Sequence, residues 1–293
     1  MAMEAFSLPD GTRLGRVCLQ VADIRRSLAF YRDVLDLRVL PPDGLAGRGS
    51  DPANSVVLGA GGEPLVVLAE RPGAPPKPPR TTGLYHFALL LPHRRGLAAV
   101  LRRLVECGWP LEGFADHAVS EAVYLRDPDG NGIELYADRP RESWLRRGDE
   151  LFMTTEPLDL HGLLAEAQSA AGLPPGTVLG HVHLQVADLD RAERFYHGLL
   201  GFDVTTRSYP GARFLAMGGY HHHLGLNVWA GIGAPAPPGE AAGLRFFEIV
   251  LPGAAVRDGL VDRLLRHRIG VESLPAGHFV RDPDGNGVVL TVR

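Results

Sequence analysis

Both halves of the chain carry the same pattern of hydrophobic and polar positions. Residues 14–39, LGRVCLQVADIRRSLAFYRDVLDLRV, align without a gap with residues 179–204, LGHVHLQVADLDRAERFYHGLLGFDV. Each segment begins with the alternation typical of a strand. An Asp suited to cap a helix follows, Asp23 or Asp188, and then apolar residues at helical spacing. The pattern therefore predicts a strand, a cap and an amphipathic helix, in that order.

A second pair of segments predicts two further units of the same kind. GLYHFALLLP begins at residue 83 and GLRFFEIVLP at residue 243, and each is typical of a strand. A helical stretch follows each of them and stops near Gly108 or Gly270. Short strand-like stretches with turn signals come after every helix. The sequence thus predicts four modules, each made of a strand, a helix and about three strands.

Pro-rich joints separate the modules within each half. RPGAPPKPPRTTG lies between modules one and two, and GIGAPAPPGEAAG lies between modules three and four. Residues 139–177 join the halves and include a predicted short helix in DLHGLLAEAQ. The predicted boundaries are 10–72 and 81–138 for the modules of the N-terminal half (1–138), and 178–232 and 241–293 for those of the C-terminal half (178–293).

Composition narrows the classes of partner. A chain of 293 residues with 45% hydrophobic content can bury a sizeable core, and two domains are expected. A net charge of -4 and a pI near 6.3 provide no basic stripe for nucleic acid, and no apolar run is long enough to span a bilayer. Two cysteines, Cys18 and Cys107, and the absence of a secretory apolar core indicate a cytoplasmic protein without disulfides. Small-molecule partners are therefore expected, with neither nucleic acid nor membrane.

The heptapeptide RDPDGNG occurs at 126–132 and again at 281–287. Asp-Pro-Asp-Gly suits a type I turn. The same residues could open a calcium loop, but such a loop needs a glutamate at its twelfth place, where Asp138 and Arg293 stand. Both copies are therefore predicted to be turns.

Candidate metal ligands are concentrated in modules two and three. Residues that are mostly apolar replace them at the matched places in modules one and four. The matched pairs are His86 with Phe246, His181 with Arg16, His183 with Cys18 and Glu134 with Val289, and the run YHHHL matches EPLVV. A lone histidine is more often structural, but two imidazoles with one carboxylate form the facial set that suits non-haem Fe(II). The candidate ligands are His86, His181 and Glu134.

These motifs resemble the vicinal oxygen chelate superfamily and, within it, the extradiol ring-cleaving dioxygenases of the catechol 2,3-dioxygenase type. GHVHLQVADL, FYHGLLGF and DPDGNGIELY mark the superfamily, whereas the combination with DHAVSEAVY and YHHHLGLN is more specific to the dioxygenases. The resemblance covers nearly the whole chain. It implies an α+β fold of four β-α-β-β-β modules, which pair into two curved-sheet barrels around one metal cleft.

The resemblance also implies a set of metal ligands. His181 matches the histidine ligand on the first strand of a module, and His183, on the same strand face, is the alternative. His86 matches the second histidine ligand and Glu134 the carboxylate. The implied metal is Fe(II), with Mn(II) as the alternative. One site then requires modules two and three to face each other, because pairing in sequence order would separate His181 from the other two ligands.

Further residues are implied to act on a catecholic substrate and O2. Tyr124 matches a tyrosine beside the substrate hydroxyl, and His117 matches a histidine that holds substrate or oxygen. His222 matches an acid–base histidine, with His221 and His223 as alternatives. The implied reaction opens the ring of a catechol next to its two hydroxyl groups.

Two other functions remain open from the sequence. A glyoxalase-like isomerase or a thiol transferase of the same superfamily would not need so many histidines and tyrosines around the metal. A drug-binding module without catalysis would not need a complete set of ligands. The Pro-rich joints and the long connection at 139–177 allow several assemblies, a homo-oligomer among them.

Overall fold

The computed structural model describes residues 6–42 and 54–292, and these contain four β-α-β-β-β units. Residues 1–5, 43–53 and 293, which fall inside the predicted halves, lie outside the described residues. Module one comprises β1 (Arg13–Val21), α1 (Ile24–Tyr31), β2 (Arg38–Leu40), β3 (Ser55–Ala60) and β4 (Glu63–Glu70). Module two comprises β5 (Gly83–Leu90), α2 (Arg94–Glu106), β6 (Leu111–Asp116), β7 (Ser120–Arg126) and β8 (Gly132–Asp138).

A connection with little regular structure leads to the second half. It contains a 3-10 turn (Arg141–Ser143), a hairpin of β9 (Arg146–Arg147) and β10 (Glu150–Leu151), and α3 (Leu160–Ala165), which lies where the short helix is predicted. Module three comprises β11 (Val178–Gln185), α4 (Leu189–Glu193), a π-helical turn (Arg194–Leu199), β12 (Asp203–Thr206), β13 (Ala212–Ala216) and β14 (Leu224–Asn227). Module four comprises β15 (Gly243–Leu251), α5 (Ala254–Arg266), β16 (Val271–Leu274), β17 (Gly277–Arg281) and β18 (Gly287–Val292). None of the helices in the described part of the chain could cross a membrane.

Two eight-stranded sheets organise these modules. One sheet has the order β2-β3-β4-β1-β15-β18-β17-β16 and joins module one to module four. The other has the order β12-β13-β14-β11-β5-β8-β7-β6 and joins module three to module two, through antiparallel pairing of β11 with β5. The α+β class and the four modules are confirmed. The sheets are open rather than closed barrels, because within the described strands the two edge strands of each sheet do not pair with each other.

Strand alternation decides which face of the second sheet carries polar groups. On β8, Ile133 and Leu135 are buried in the main hydrophobic core, where they pack among the helices and the other sheet. Glu134 lies between them and therefore points to the opposite face. This places a buried carboxylate on the side of the sheet away from the core.

The corresponding face of the first sheet is filled with apolar side chains. Val289, at the place that matches Glu134, packs in a separate cluster with Cys18, Phe246 and Phe279. The buried Arg16 guanidinium contacts the Glu248 carboxylate at 2.8 Å. In modules two and three this region holds histidines. In modules one and four, apolar side chains and an ion pair occupy it.

Both RDPDGNG turns dock on the helical segment of the preceding module. In the first turn, Asp127 accepts hydrogen bonds from the backbone and side chain of Asn131 and, at 2.9 Å, from the Tyr31 hydroxyl of module one. In the second turn, Asp282 accepts the same set of bonds, with the Tyr196 hydroxyl of module three at 2.9 Å. Protein donors thus occupy these carboxylates, which agrees with turns rather than calcium loops.

Loss of the tyrosine hydroxyl should weaken this docking. We expect Tyr31→Phe and Tyr196→Phe each to lower the free energy of unfolding by about 1 to 3 kcal/mol, because each leaves a buried carboxylate with one donor fewer. Urea denaturation followed by circular dichroism measures the change. Tyr209→Phe is the matched control, since its hydroxyl contacts Thr155 in an exposed position. Equal losses in all three variants would contradict a special role for the turns.

Candidate metal centre

Three neighbouring strands of the second sheet bring the predicted ligands together. β11, β5 and β8 lie side by side and carry His181, His86 and Glu134 respectively. In the strand register, Ala88 of β5 lies opposite both His181 and Glu134. Because alanine has only a β-carbon, the two longer side chains can converge above it. The three ligand candidates therefore share one face of the sheet, and all three are buried.

The three donor atoms form a small triangle. His86 Nε2 is 3.0 Å and His181 Nε2 is 3.1 Å from Glu134 Oε2, and the two Nε2 atoms are 3.2 Å apart. Ligands about 2.1 Å from an ion at right angles would stand about 3.0 Å apart, whereas tetrahedral angles would separate them by about 3.4 Å. The triangle therefore fits three adjacent corners of an octahedron, and the group as a whole has the donors and compactness of a metal site.

Protonation states in this cluster also suit a metal ion. Burial opposes ionisation of Glu134, but the charges and hydrogen bonds of His181 and His86 outweigh it and hold its pKa well below the usual range. Burial lowers the pKa of His181 to about 4, although the Glu134 carboxylate opposes this shift. An ionised carboxylate and a neutral imidazole at neutral pH are the forms that bind metals.

His183 lies two residues beyond His181 on the same strand face but outside the triangle. Its ring is T-shaped against that of His86, with 4.9 Å between centroids. Burial holds the pKa of His183 well below the usual range, and its Nε2 is buried without a hydrogen-bond partner among the described residues. The geometry favours His181 as the ligand and leaves His183 free to contact a bound molecule.

His117 and Tyr124 form a hydrogen-bonded pair next to the cluster. Tyr124 lies opposite Glu134 in the pairing of β7 with β8. The Thr154 carbonyl lies 2.6 Å from His117 Nδ1 and can only accept, so Nδ1 carries the proton. Nε2 of the neutral ring then accepts from the Tyr124 hydroxyl at 2.6 Å. Burial and the charge of Glu134 raise the pKa of Tyr124 well above its usual value, so this hydroxyl keeps its proton.

The three consecutive histidines have separate environments. The ring of His222 lies 4.1 Å from that of His181 between centroids, and His222 lines a cavity next to the triangle. His221 is fully buried and contacts His222 through their Nδ1 atoms at 2.7 Å. His223 Nδ1 accepts from the Met217 backbone N–H at 3.1 Å, and His223 is not among the residues that line this cavity. Position alone therefore favours His222 as the residue that acts on a ligand.

A hydrogen-bonded chain fixes the tautomer of His222. The Asp138 carboxylate accepts from His221 Nε2 at 2.9 Å and from the Tyr220 hydroxyl at 3.0 Å. When the Nε2 proton is the only ring proton of His221, its Nδ1 is an acceptor and the proton between the two rings belongs to His222 Nδ1. This leaves His222 Nε2 with a free lone pair that can take a proton.

The comparisons with known proteins show the family to which the chain belongs. The family model described as Glyoxalase/Bleomycin resistance protein/Dioxygenase superfamily matches residues 13–135 and 178–290. The chain belongs to this superfamily. The superfamily resemblance predicted from the motifs is therefore confirmed, and the two matched ranges include all four modules of the superfamily fold.

Individual relatives include two dioxygenases. The chain is 43% identical to a catechol-2,3-dioxygenase of Bacillus subtilis (strain 168) over 98% of its own length and 99% of the relative. It is 31% identical to a biphenyl-2,3-diol 1,2-dioxygenase 3 of Rhodococcus globerulus over 55% of its length and 84% of the relative. The solved structure of glyoxalase I from Zea mays superposes with a TM-score of 0.59 at 18% identity, covering 96% of this chain and 92% of that one, which shows a shared fold.

The candidate site borders a cavity of about 430 Å³. His86 and Glu134 line it and are both buried, and their end of the cavity is called its base. His181 is 1% exposed and is not among the lining residues. Besides Tyr124, four aromatic side chains line the cavity: Tyr85, Tyr209, Phe214 and Trp229. A site of this form can hold an ion at its base and an organic ligand above it.

Several of these residues belong to no motif that could have predicted them. Thr154 comes from the connection between the halves, and the aromatic residues become neighbours only through folding. Asp138 had a usable signal, because Glu134, Tyr136 and Asp138 alternate along β8 and so share a face. The same alternation that predicts Glu134 as a ligand extends to the carboxylate that holds His221.

Proposed function

We propose that the chain is an extradiol ring-cleaving dioxygenase that opens catechol or a substituted catechol with O2. The observation that carries this proposal is the triangle of His86, Glu134 and His181 at the base of a cavity that also contains His117, Tyr124 and His222. The similarity to the catechol-2,3-dioxygenase of Bacillus subtilis, which extends over nearly the whole chain, supports it.

The proposed cofactor is Fe(II), with Mn(II) as the alternative. Two neutral imidazoles and one carboxylate at facial spacing are the donor set preferred for non-haem Fe(II) in oxygen chemistry. When bound, the ion would bind the catechol and O2 and would supply the redox chemistry between them. His86, His181 and Glu134 would hold it.

The proposed proton chemistry belongs to His222. Its Nε2 can take a proton from a catechol hydroxyl, because the chain through His221 to Asp138 keeps the other ring proton on Nδ1. The same atom can return the proton as the ring opens. Burial lowers the pKa of His222 well below the usual range, so the ring is neutral at neutral pH.

Tyr124 and His117 are proposed to hold the reacting oxygens. The Tyr124 hydroxyl lies beside the Glu134 strand position, and in the free protein it donates its one proton to His117 Nε2. It can turn that proton to a ligand oxygen that gains negative charge, which then replaces His117 Nε2 as the acceptor. The bond between a hydroxyl-bearing carbon and its neighbour outside the diol breaks, and both atoms of O2 enter the semialdehyde product. The catechol supplies all the electrons, so no further reductant is required.

Oxygen uptake by the iron-loaded protein tests this proposal. We expect protein loaded anaerobically with Fe(II), and freed of excess metal, to consume about one O2 per catechol and to form a yellow ring-opened product. Protein loaded with Zn²⁺, which has no redox chemistry, is the control and should consume none. No consumption by the Fe(II) form would reject the dioxygenase and favour an isomerase or a binding protein. Consumption without the yellow product would reject extradiol cleavage and indicate another oxidation of the catechol.

A further inference from the structure

The cavity above the proposed metal site extends beyond the space that a catechol ring needs. We propose that it accepts catechols bearing an apolar aryl or bulky alkyl substituent, which packs against Phe214, Tyr209 and Trp229. This inference rests on the proposed function, because it assumes that the catechol oxygens point towards His86 and Glu134.

Aromatic rings form a continuous wall from the site to the cavity mouth. The ring of Phe214 lies 4.9 Å from that of His222 and 5.5 Å from that of Tyr209, between centroids. Trp229 lies 5.3 Å from Tyr85, and these two side chains are 46% and 36% exposed. Large apolar groups exposed at the mouth of a cavity mark a binding surface, because a ligand that covers them removes apolar area from water.

The size of the cavity leaves room for a substituent. Its volume is about 430 Å³. A closed apolar cavity of about 150 Å³ is enough to hold benzene. A catechol ring at the base therefore leaves space for a second group of similar size beside the aromatic wall.

Charges around the cavity disfavour a carboxylated substituent. Arg126 lines the cavity, but its guanidinium is bound by the Glu112 carboxylate and, at 2.8 Å, by the Gly130 carbonyl. Glu112 also lines it, so a further carboxylate would meet a like charge and a cation that already has partners. The lining therefore selects for apolar rather than anionic groups.

Binding to the Zn²⁺-loaded protein under anaerobic conditions separates recognition from turnover. We expect one of the two phenylcatechol isomers to bind at least about tenfold more tightly than catechol, because it buries a second ring against the wall. Protocatechuate should bind more weakly than catechol. Calorimetry gives the dissociation constants. Ligand binding should also quench tryptophan fluorescence, and a smaller quenching in Trp229→Phe would place the ligand at the mouth.

Variants of the wall test which residues confer the preference. Phe214→Ala and Trp229→Ala should each reduce the ratio of phenylcatechol to catechol affinity by about three- to tenfold. Ile232→Ala is the matched control, because Ile232 is 85% exposed and does not line this cavity. Its ratio should equal that of the wild type.

The outcomes distinguish this inference from the proposed function. If the Fe(II) form cleaves catechol but neither phenylcatechol binds more tightly than catechol, the substituent pocket is rejected and the dioxygenase proposal stands. If a phenylcatechol binds preferentially and the Fe(II) form cleaves no catechol, the dioxygenase proposal is rejected and the pocket stands. An unchanged affinity ratio in both wall variants would also overturn the pocket.

Discussion

Glu134→Ala should abolish retention of iron, whereas Val289→Ala at the matching place of the other sheet should retain it. Glu134 Oε2 is 3.0 Å from one imidazole Nε2 and 3.1 Å from the other, so its removal takes away the only anion of the triangle in the described residues. We expect metal affinity to fall by more than about 100-fold, since loss of a direct ligand should exceed the 10- to 100-fold cost of losing a residue that supports one. Ring cleavage should fall with it.

Val289→Ala is the appropriate control because both residues are buried at equivalent strand positions. Val289 packs with Phe246 and Phe279, so its truncation should lower stability by about 1 to 3 kcal/mol without affecting iron. Glu134→Gln separates ligand loss from misfolding, because it keeps the side-chain shape and removes the charge. Elemental analysis after gel filtration measures the metal. Equal iron content in wild type and both Glu134 variants would rule out the proposed ligand set.

The matched repeats explain why so much of this arrangement was predictable. Aligning the modules shows that Glu134 and Val289 occupy the same strand position with different chemistry, and alternation on β8 places Glu134 away from the core. The sequence also predicts that His181 and His86 can form one site only if modules two and three pack against each other. The antiparallel pairing of β11 with β5 meets that condition.

Contacts between distant segments explain what the sequence left open. The pairing of β11 with β5 joins residues about a hundred positions apart, and no local pattern distinguishes it from pairing in sequence order. Thr154 has no motif, yet its carbonyl determines the tautomer of His117. The three consecutive histidines have identical chemistry, and only their neighbours Asp138 and Met217 show which of them is turned away from the cavity. Residues of the same type therefore differ in their proposed roles because of their long-range contacts, which the local sequence does not show.

His222→Phe should keep iron but lower the turnover number by about 100- to 10,000-fold, the usual contribution of a general acid or base. His222 lines the cavity and its ring packs at a tilt against that of His181, and phenylalanine can replace its ring volume without offering a proton acceptor. Iron analysis and oxygen uptake at saturating catechol measure the two properties separately. Loss of iron with loss of activity would instead indicate a role in building the metal site.

His223→Phe is the control from the same run of histidines, because its Nδ1 bonds to the Met217 backbone outside the cavity. Its turnover number should stay within about twofold of the wild type, since substitutions away from the reacting groups seldom alter the chemical step. Unchanged turnover in His222→Phe, or equal losses in both variants, would remove His222 from the proposed proton chemistry.

Asp138→Asn tests how His222 is held. The amide oxygen can still accept from His221 Nε2, but the negative charge that orients the pair of rings is lost. We therefore expect iron content to be unchanged and turnover to fall by about tenfold, less than in His222→Phe, because the acceptor atom of His222 is still present. Tyr220→Phe removes the other donor to Asp138 and keeps the charge, so it should have the smaller effect. If Asp138→Asn and Tyr220→Phe lower turnover equally, the carboxylate acts through packing alone and the tautomer of His222 is set by other contacts.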